Sequence, residues 1–262
     1  MKVSILGVGL YGVGIDSWQA FEERLGGKRQ AHPPTPPKPE LIPARERRRA
    51  PLAVKHAVEV ATQACEAANM APSEPACVFA SAMGDLDITD YMCRTLAGEN
   101  TMISPTKFHN SVHNAPVGYW SISGGSMAAA NSVSAFDYTA SVALMEAISH
   151  CVEMQQAVLL VVQDIAAPPI FKVLRSIENA FAGALLIAPN RPDTPTLAAS
   201  ISTSGTDWPA PALPDELSDT YQSNPAARML ALYAALNRGN DHLRLPMSEK
   251  LTLNLTLEGL TL

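Results

Sequence analysis

The chain has 262 residues, of which 47% are hydrophobic and 17% are charged, and its formal net charge is -6. This composition is typical of a folded globular protein rather than a disordered one, and the acidic balance argues against nucleic acid as a partner. The longest apolar runs fall short of the roughly 20 residues that cross a bilayer, and the N-terminus lacks the apolar core of a signal peptide. We therefore expect no membrane span and a cytoplasmic location.

Neither the cysteines nor the glycines predict a bound group. The four cysteines form no C-x-x-C pair and favour small buried hydrophobes over a zinc cluster or a disulfide framework. They are Cys65, Cys77, Cys93 and Cys151. The glycines at 7, 9, 12 and 14 form a degenerate series, and no acidic residue ends a second strand about 20 residues later, as a dinucleotide site requires. We expect no cofactor and no metal.

From the N-terminus, strands and helices are predicted in alternation. A strand at 3–7 enters the glycine series as a turn, and a helix follows at 17–25. Six prolines in residues 32–43 predict an extended surface loop. Apolar residues recur at helical spacing over 51–69, where Pro51 suits the first turn. A strand is predicted at 76–80, followed by a loop that leads into a helix within 84–97.

The pattern continues in the second half of the chain. Residues 104–122 hold a His-Asn pair at His109 and Asn110 that repeats at His113 and Asn114. A short strand is predicted at 131–135, a helix with one apolar side at 139–155, and two apolar strands at 157–162 and 182–188. Residues 250–257 alternate leucine with threonine or asparagine, which is typical of a half-buried edge strand. This alternation predicts an α/β layered fold.

In this order, residues 1–190 resemble the N-terminal half of β-ketoacyl synthases. Four landmarks carry the resemblance: the strand and glycines of 3–14, the arginine-rich start at 45–49 before an alanine-rich helix, the segment 104–118, and the strand 131–135. The resemblance implies a truncated thiolase-like fold, a layered α-β-α arrangement with a mixed sheet, whose full-length form has five layers in two similar halves. It also implies one domain over 1–262, with 191–262 as a shortened C-terminal extension, and dimerisation through the strand before the nucleophile.

The family pattern places a cysteine nucleophile after Ser134 and Ala135, where this sequence has Phe136. A phenyl ring has no thiol that a helix N-terminus can convert to a thiolate, so the usual Claisen chemistry is excluded. Asp137 suits the N-terminus of the following helix. The family's two catalytic histidines also lack counterparts, because His242 is the only histidine after residue 190 and its sequence context differs. We expect no catalytic residue.

Homologues without the nucleophile resemble the chain-length-factor subunits of ketosynthase heterodimers, and residues 107–116 look most like the small partner subunits of aryl-polyene pathways. The resemblance implies a non-catalytic subunit that binds a catalytic ketosynthase, works with an acyl carrier protein, and shapes the acyl tunnel in polyketide, aryl-polyene or fatty-acid-type biosynthesis. It places six residues at the tunnel or the subunit interface: His109, Val112, His113, Asn114, Tyr119 and Phe136.

Two clusters keep alternative interpretations. On a helix, His109 and His113 face the same side, as metal ligands do, but no glutamate follows the first histidine and no third ligand is evident. An interface role is favoured over a metal site, and ordinary structural histidines remain the alternative. Basic residues Arg45, Arg48 and Arg49 predict either a solvated helix start or a docking surface for an acidic acyl carrier protein.

Two other functions stay open from the sequence. One is a serine- or cysteine-dependent acyltransferase or hydrolase, with Ser134 and His109 as the best pair, although the chain has no G-x-S-x-G elbow. The other is a structural homodimer with no effect on any product.

Overall fold

The computed structural model describes residues 1–30, 32, 35–203, 213–239 and 241–259. Within these ranges, eight strands form one mixed sheet in the order β3-β2-β4-β5-β1-β6-β8-β7. The first four strands in the chain are β1 (Lys2–Gly12), β2 (Ala76–Ala80), β3 (Ala130–Val133) and β4 (Val158–Asp164). The last four are β5 (Phe181–Pro189), β6 (Thr196–Thr203), β7 (Asp241–Pro246) and β8 (Leu251–Glu258). Strands β3 and β4 pair with β2 in parallel, and the remaining pairs are antiparallel.

Ten α-helices are present in the described part of the chain. The first five are α1 (Trp18–Leu25), α2 (Ala44–Arg47), α3 (Leu52–Ala67), α4 (Leu86–Ala97) and α5 (Pro105–His109). The others are α6 (Ala115–Gly124), α7 (Thr139–Met154), α8 (Pro169–Lys172), α9 (Asp215–Tyr221) and α10 (Leu230–Arg238). Short 3-10 turns lie at Phe136–Tyr138 and Ala226–Met229. None of these helices has the length and apolar character that a membrane crossing requires.

Helices cover the sheet on both faces, which confirms the predicted α-β-α layering and mixed sheet. Helices α3 and α6 pack on one face against Phe79, Leu159 and Leu186. The other face buries Leu160 and Leu185 under α1, α7, α9 and α10. Side chains of β4 alternate between the two cores, so this strand is buried along its whole length.

The glycine series lies inside a strand, which corrects the predicted strand at 3–7 and the turn after it. Strand β1 runs through Gly7 and Gly9 to Gly12, and α3 lies directly on it. A Cβ atom at Gly9 would lie 2.0 Å from the carbonyl oxygen of Val60, and one at Gly7 would lie 2.2 Å from that of Ala64. The glycines therefore permit close contact between helix and strand rather than a turn.

The C-terminal part of the chain belongs to the same sheet and cores. Residues 191–259 contribute β6, β7 and β8 to the sheet, and α9 and α10 to the helical cover. The prediction for 250–257 was right about a strand but wrong about its place, because β8 lies between β6 and β7 and the edge strand is β7. In the proline-rich loop, Pro37 and Pro39 are buried, and the first two of its six prolines lie outside the described residues.

Candidate functional site

The chain turns from β3 into α7 at a sharp corner formed by Phe136. This residue has a φ of +51°, in the left-handed region that non-glycine residues rarely adopt, and it begins the 3-10 turn before α7. The Thr139 hydroxyl accepts a hydrogen bond from the Ala135 N–H at 2.9 Å and donates one to the Phe136 carbonyl at 2.7 Å. Two hydrogen bonds through one hydroxyl thus stabilise the unusual backbone. The Phe136 side chain is 55% exposed and presents an aromatic surface.

Charged residues surround this corner. Asp137 accepts hydrogen bonds from the guanidinium groups of Arg175 and Arg228, the latter at 3.3 Å. The Arg175 guanidinium also lies over the Phe136 ring, 4.3 Å from its centroid, which is a cation–π geometry. Asp137 therefore pairs with two arginines instead of capping α7, whose N-cap has no side-chain hydrogen bond.

The serine at this corner is Ser134, two positions before Phe136. The Ser134 hydroxyl donates a hydrogen bond to the Ala82 carbonyl at 3.2 Å, while His109 lines a groove with other residues. A base that activates a serine must accept the hydroxyl proton, and among the described residues no hydrogen bond joins Ser134 to His109. The arrangement gives no support to the Ser134–His109 pair that the sequence left open.

An open groove of about 680 Å³ lies between α5, α6 and the start of α2. Four of the six residues predicted for the tunnel or interface line it together with Arg49: His109, Val112, Asn114 and Tyr119. Gly118 and Ile122 continue its wall along α6. Because the lining is mostly apolar and opens to solvent, the groove suits a hydrocarbon chain or an apolar side chain of another protein.

The two other predicted residues, His113 and Phe136, do not line this groove. The two histidines are therefore separated. Helix α5 ends at His109, and a turn follows before α6 begins at Ala115, so His109 and His113 do not share a helix. The shared-face expectation was therefore wrong. The His113 imidazole Nε2 lies 3.0 Å from the Ser81 carbonyl, with which it forms a hydrogen bond. Among the described residues, no group of three or more His, Cys, Asp or Glu side chains is arranged to hold a metal.

His113 belongs to a smaller cavity of about 220 Å³ between β2, β4 and the start of α6. Two buried amide side chains, Asn110 and Gln163, also line it. Their carbonyl oxygens have no hydrogen-bond partner among the described residues. Buried acceptors of this kind are commonly satisfied by ordered water.

Sequence reasoning missed the buried carboxyl group that fixes the turn between β2 and α4. Asp164 ends β4, and one of its carboxylate oxygens accepts hydrogen bonds from the Ser81 hydroxyl at 2.7 Å and from the N–H groups of Ala82 and Met83 at 2.9 and 3.2 Å. Burial raises the pKa of Asp164 to about 6, although these hydrogen bonds favour the ionised form. The available signal was an aspartate two residues after the uninterrupted apolar run of β4, which ends at Val162.

The predicted basic cluster lies on the surface in α2 and directly after it. Arg45, Arg48 and Arg49 are exposed, and in the described part of the chain no ion pair involves them. Arg47 differs, because it donates a hydrogen bond to the Pro39 carbonyl at 3.2 Å. The three exposed guanidinium groups thus remain free to meet an acidic surface, and one of them also borders the groove.

The sheet has a free strand edge at β3, and exposed apolar side chains lie on neighbouring segments of the chain. Strand β3 pairs only with β2 within the described sheet, and its outer edge has no partner there. Helix α6 contacts both β2 and β3. Five large apolar side chains on or next to α5, α6 and β3 in the chain are exposed: Phe108, Val112, Ile122, Met127 and Phe136. An exposed edge with apolar neighbours is a common site of protein association.

The layered fold and the corner between β3 and α7 define a thiolase-like ketosynthase fold. The chain belongs to the β-ketoacyl synthase family: the family model described as the N-terminal domain of β-ketoacyl synthase matches residues 18–251. This confirms the family resemblance and extends it well beyond residue 190. No curated protein sequence matches the chain.

Solved structures with the same fold include ketosynthase complexes. One is the ketosynthase ApeO in complex with its chain length factor ApeC from Xenorhabdus doucetiae, with 19% identity, a TM-score of 0.72, and coverage of 98% of this chain and 99% of the matched chain. Another is the ishigamide ketosynthase/chain length factor, with 11% identity, a TM-score of 0.74, and coverage of 99% and 100%. A third is AntDE:AntF, a type II polyketide acyl-carrier protein in complex with its ketosynthase, with 12% identity, a TM-score of 0.75, and coverage of 99% of both chains.

Proposed function

We propose that this chain is the non-catalytic, chain-length-factor-like subunit of a β-ketoacyl synthase heterodimer. The observation that carries the proposal is Phe136, an exposed aromatic residue at the strand-to-helix corner where the family pattern has its cysteine. The partner subunit supplies the thiolate and the histidines, and this chain forms part of the wall of the acyl tunnel. In this proposal residues 1–262 act as one domain.

The interface is proposed to form along β3. Its free edge can pair with a strand of the partner, and the exposed side chains of Ile122 and Met127 lie beside it in the chain. These two side chains are 85% and 97% exposed, which is high for large apolar groups. Covering such a surface favours association, and obligate interfaces commonly bury more than about 2,000 Å².

The groove between α5 and α6 is proposed as one wall of the acyl tunnel. It is apolar, it is large enough for a hydrocarbon chain, and His109, Val112, Asn114 and Tyr119 line it. Phe136 lies outside this groove and would limit the tunnel from the corner. Arg45, Arg48 and Arg49 are proposed to attract an acyl carrier protein, whose acidic surface complements a basic cluster.

The product class follows from the same proposal. Solved complexes with this fold pair a ketosynthase with a chain length factor or with an acyl-carrier protein. We extend this arrangement to the present chain and place it in polyketide-type biosynthesis, with an aryl polyene as the specific candidate product.

Co-expression with a catalytic ketosynthase tests the proposal. We expect a stable heterodimer by native mass spectrometry, condensation of malonyl and acyl units by the pair, and no condensation by this chain alone. Phe136→Cys in the isolated chain should remain inactive, because the sequence has no counterparts of the family's two catalytic histidines. Condensation by the isolated wild-type chain, or a stable homodimer that excludes every ketosynthase offered, would overturn the proposal.

Surface variants test the interface separately. Ile122→Asp and Met127→Asp should each prevent heterodimer formation while leaving the fold intact, because a carboxylate in an apolar interface loses its hydration. Ile201→Asp on β6 is the matched control, since Ile201 is also exposed but lies on a strand five positions from β3 in the sheet. If the control disrupts the heterodimer as strongly as the two test variants do, β3 is not the interface.

A further inference from the structure

Beside the Phe136 corner, a second cavity has a lining unlike that of the acyl groove. Its volume is about 300 Å³, and Asp137, Arg175 and Arg228 line it together with Ser176, Gln222 and Ser223. The groove is apolar, whereas this cavity is polar and charged. None of the six predicted tunnel or interface residues lines it.

The charges in this cavity do not balance. Arg175 and Arg228 carry two positive charges and share the single carboxylate of Asp137. The side chains of the two arginines are only 16% and 25% exposed, so water screens the remaining positive charge poorly. Burial and the neighbouring Arg175 both lower the pKa of Arg228, whereas Asp137 raises it. The cluster therefore keeps a net charge of about +1 in a partly desolvated place.

Hydrogen-bonding capacity in the cavity is also unused. No hydrogen bond from the Ser176, Gln222 or Ser223 side chain occurs within the described ranges. Stacking over Phe136 restricts the Arg175 guanidinium, so less freedom is lost when a ligand binds it. Guanidinium and hydroxyl donors around one space are the groups that proteins use for phosphate and carboxylate.

We propose that this cavity is a binding site for an oxyanion group, either a phosphate or a carboxylate, beside the corner that lacks the nucleophile. Asp137 acts as an internal anion that positions both arginines when the site is empty and competes with the ligand when it is present. A bound oxyanion neutralises the remaining charge and accepts hydrogen bonds from Arg228 and from the two serine hydroxyls. This site shares no lining residue with the apolar groove.

Calorimetric titration of the full chain with inorganic phosphate and, separately, with malonate tests the site at constant ionic strength set with chloride. We expect saturable binding of at least one of them, and the tighter ligand identifies the group. Arg228→Gln should weaken this binding roughly tenfold, because a hydrogen bond from a charged donor is lost. Arg244→Gln on β7 is the matched control and should leave the affinity unchanged, since Arg244 is an exposed arginine away from the cavity.

Asp137→Asn distinguishes most clearly between a binding site and a purely structural ion pair. In a binding site, this substitution removes the internal competitor and should tighten oxyanion binding. A purely structural ion pair predicts no binding in this variant. Thermal melts with and without the ligand show whether Asp137→Asn is folded. If it is not, Ser223→Ala replaces it and should weaken binding severalfold without changing the charge. No saturable binding by the wild-type chain, or equal losses in Arg228→Gln and Arg244→Gln, would overturn the site.

Discussion

The guanidinium of Arg175 lies 4.3 Å above the ring centroid of Phe136. One arginine therefore joins the corner, the Asp137 carboxylate and the charged cavity into a single cluster. The Phe136 ring therefore makes an electrostatic contact with this cluster, in addition to the steric role that we propose for it in the acyl tunnel.

Replacing Phe136 with alanine separates these roles. Phe136 is 55% exposed, so Phe136→Ala should cost little stability, about 1 kcal/mol for the lost cation–π contact. If the ring limits the acyl tunnel, the ketosynthase pair that contains Phe136→Ala should release longer or more varied chains. Mass spectrometry of the products measures this.

Ile201→Ala is the control for that experiment. Ile201 is also an exposed large apolar residue, at 45%, but it lies on β6, five positions from β3 in the sheet. Its loss should leave the product lengths unchanged. Identical product lengths for Phe136→Ala and wild type would remove Phe136 from the tunnel.

Charge reversal at Arg48 and Arg49 tests carrier-protein docking. Both side chains are exposed, so reversal should leave the fold unchanged and slow elongation at low salt, where electrostatic attraction raises association rates. The difference from wild type should shrink as salt increases. Elongation kinetics across a salt series measure this, with Arg244→Glu as the control; a difference that does not depend on salt would argue against docking at this cluster.

Two glycine substitutions should have opposite effects on stability. Gly9→Ala places a Cβ atom 2.0 Å from the Val60 carbonyl oxygen, so we expect a loss of about 3 kcal/mol, at the upper end of the overpacking range. Gly118→Ala lies within α6, where a Cβ atom meets nothing within 4 Å, and it should add roughly 0.5–1 kcal/mol. Denaturant unfolding measures both, and a neutral Gly9→Ala would contradict the close packing of α3 on β1.

Asp164 should make stability depend on pH. Its pKa is raised to about 6 from an ordinary value of 3.8, so the folded state binds more protons than the unfolded state between these values. Stability from this group is therefore present at low pH and is lost as pH rises from about 4 to about 6. Asp164→Asn keeps an oxygen acceptor for Ser81 and removes the titration.

Comparing the stability of wild type and Asp164→Asn at two pH values isolates the contribution of the Asp164 titration. Relative to wild type, Asp164→Asn should gain stability on the order of 1–3 kcal/mol between pH 4 and pH 7. Urea unfolding at both pH values measures the difference. A difference between the two proteins that is the same at pH 4 and pH 7 would mean that Asp164 titrates normally.

Much of the layered fold was predictable because the buried strands are apolar without interruption. Strands β2, β4 and β5 and helices α3 and α7 were recognised close to their observed bounds, since their patterns depend only on which side chains are buried. The extent of β1 was not predictable from local rules. Its glycines look like turn residues, and only the contact with α3 explains why they remain in a strand.

The candidate site was predictable in part. The absence of a thiol at residue 136 can be read from the sequence, and four of the predicted tunnel residues line one groove. The histidine pair was misjudged because a spacing of four residues has meaning only within one helix, and α5 ends at His109. The charged cavity was invisible because Asp137, Arg175 and Arg228 are far apart in the chain and meet only through the fold.

The left-handed backbone at Phe136 sets the direction in which the side chain leaves the main chain, whichever residue stands there. For any residue other than glycine, this conformation costs roughly 1–2 kcal/mol, and the Thr139 hydroxyl helps to hold it. Substitutions at this position therefore change the surface that the corner offers to a neighbouring molecule, but they do not change the angle at which it is offered. The turn therefore fixes the orientation of any side chain that is introduced at residue 136.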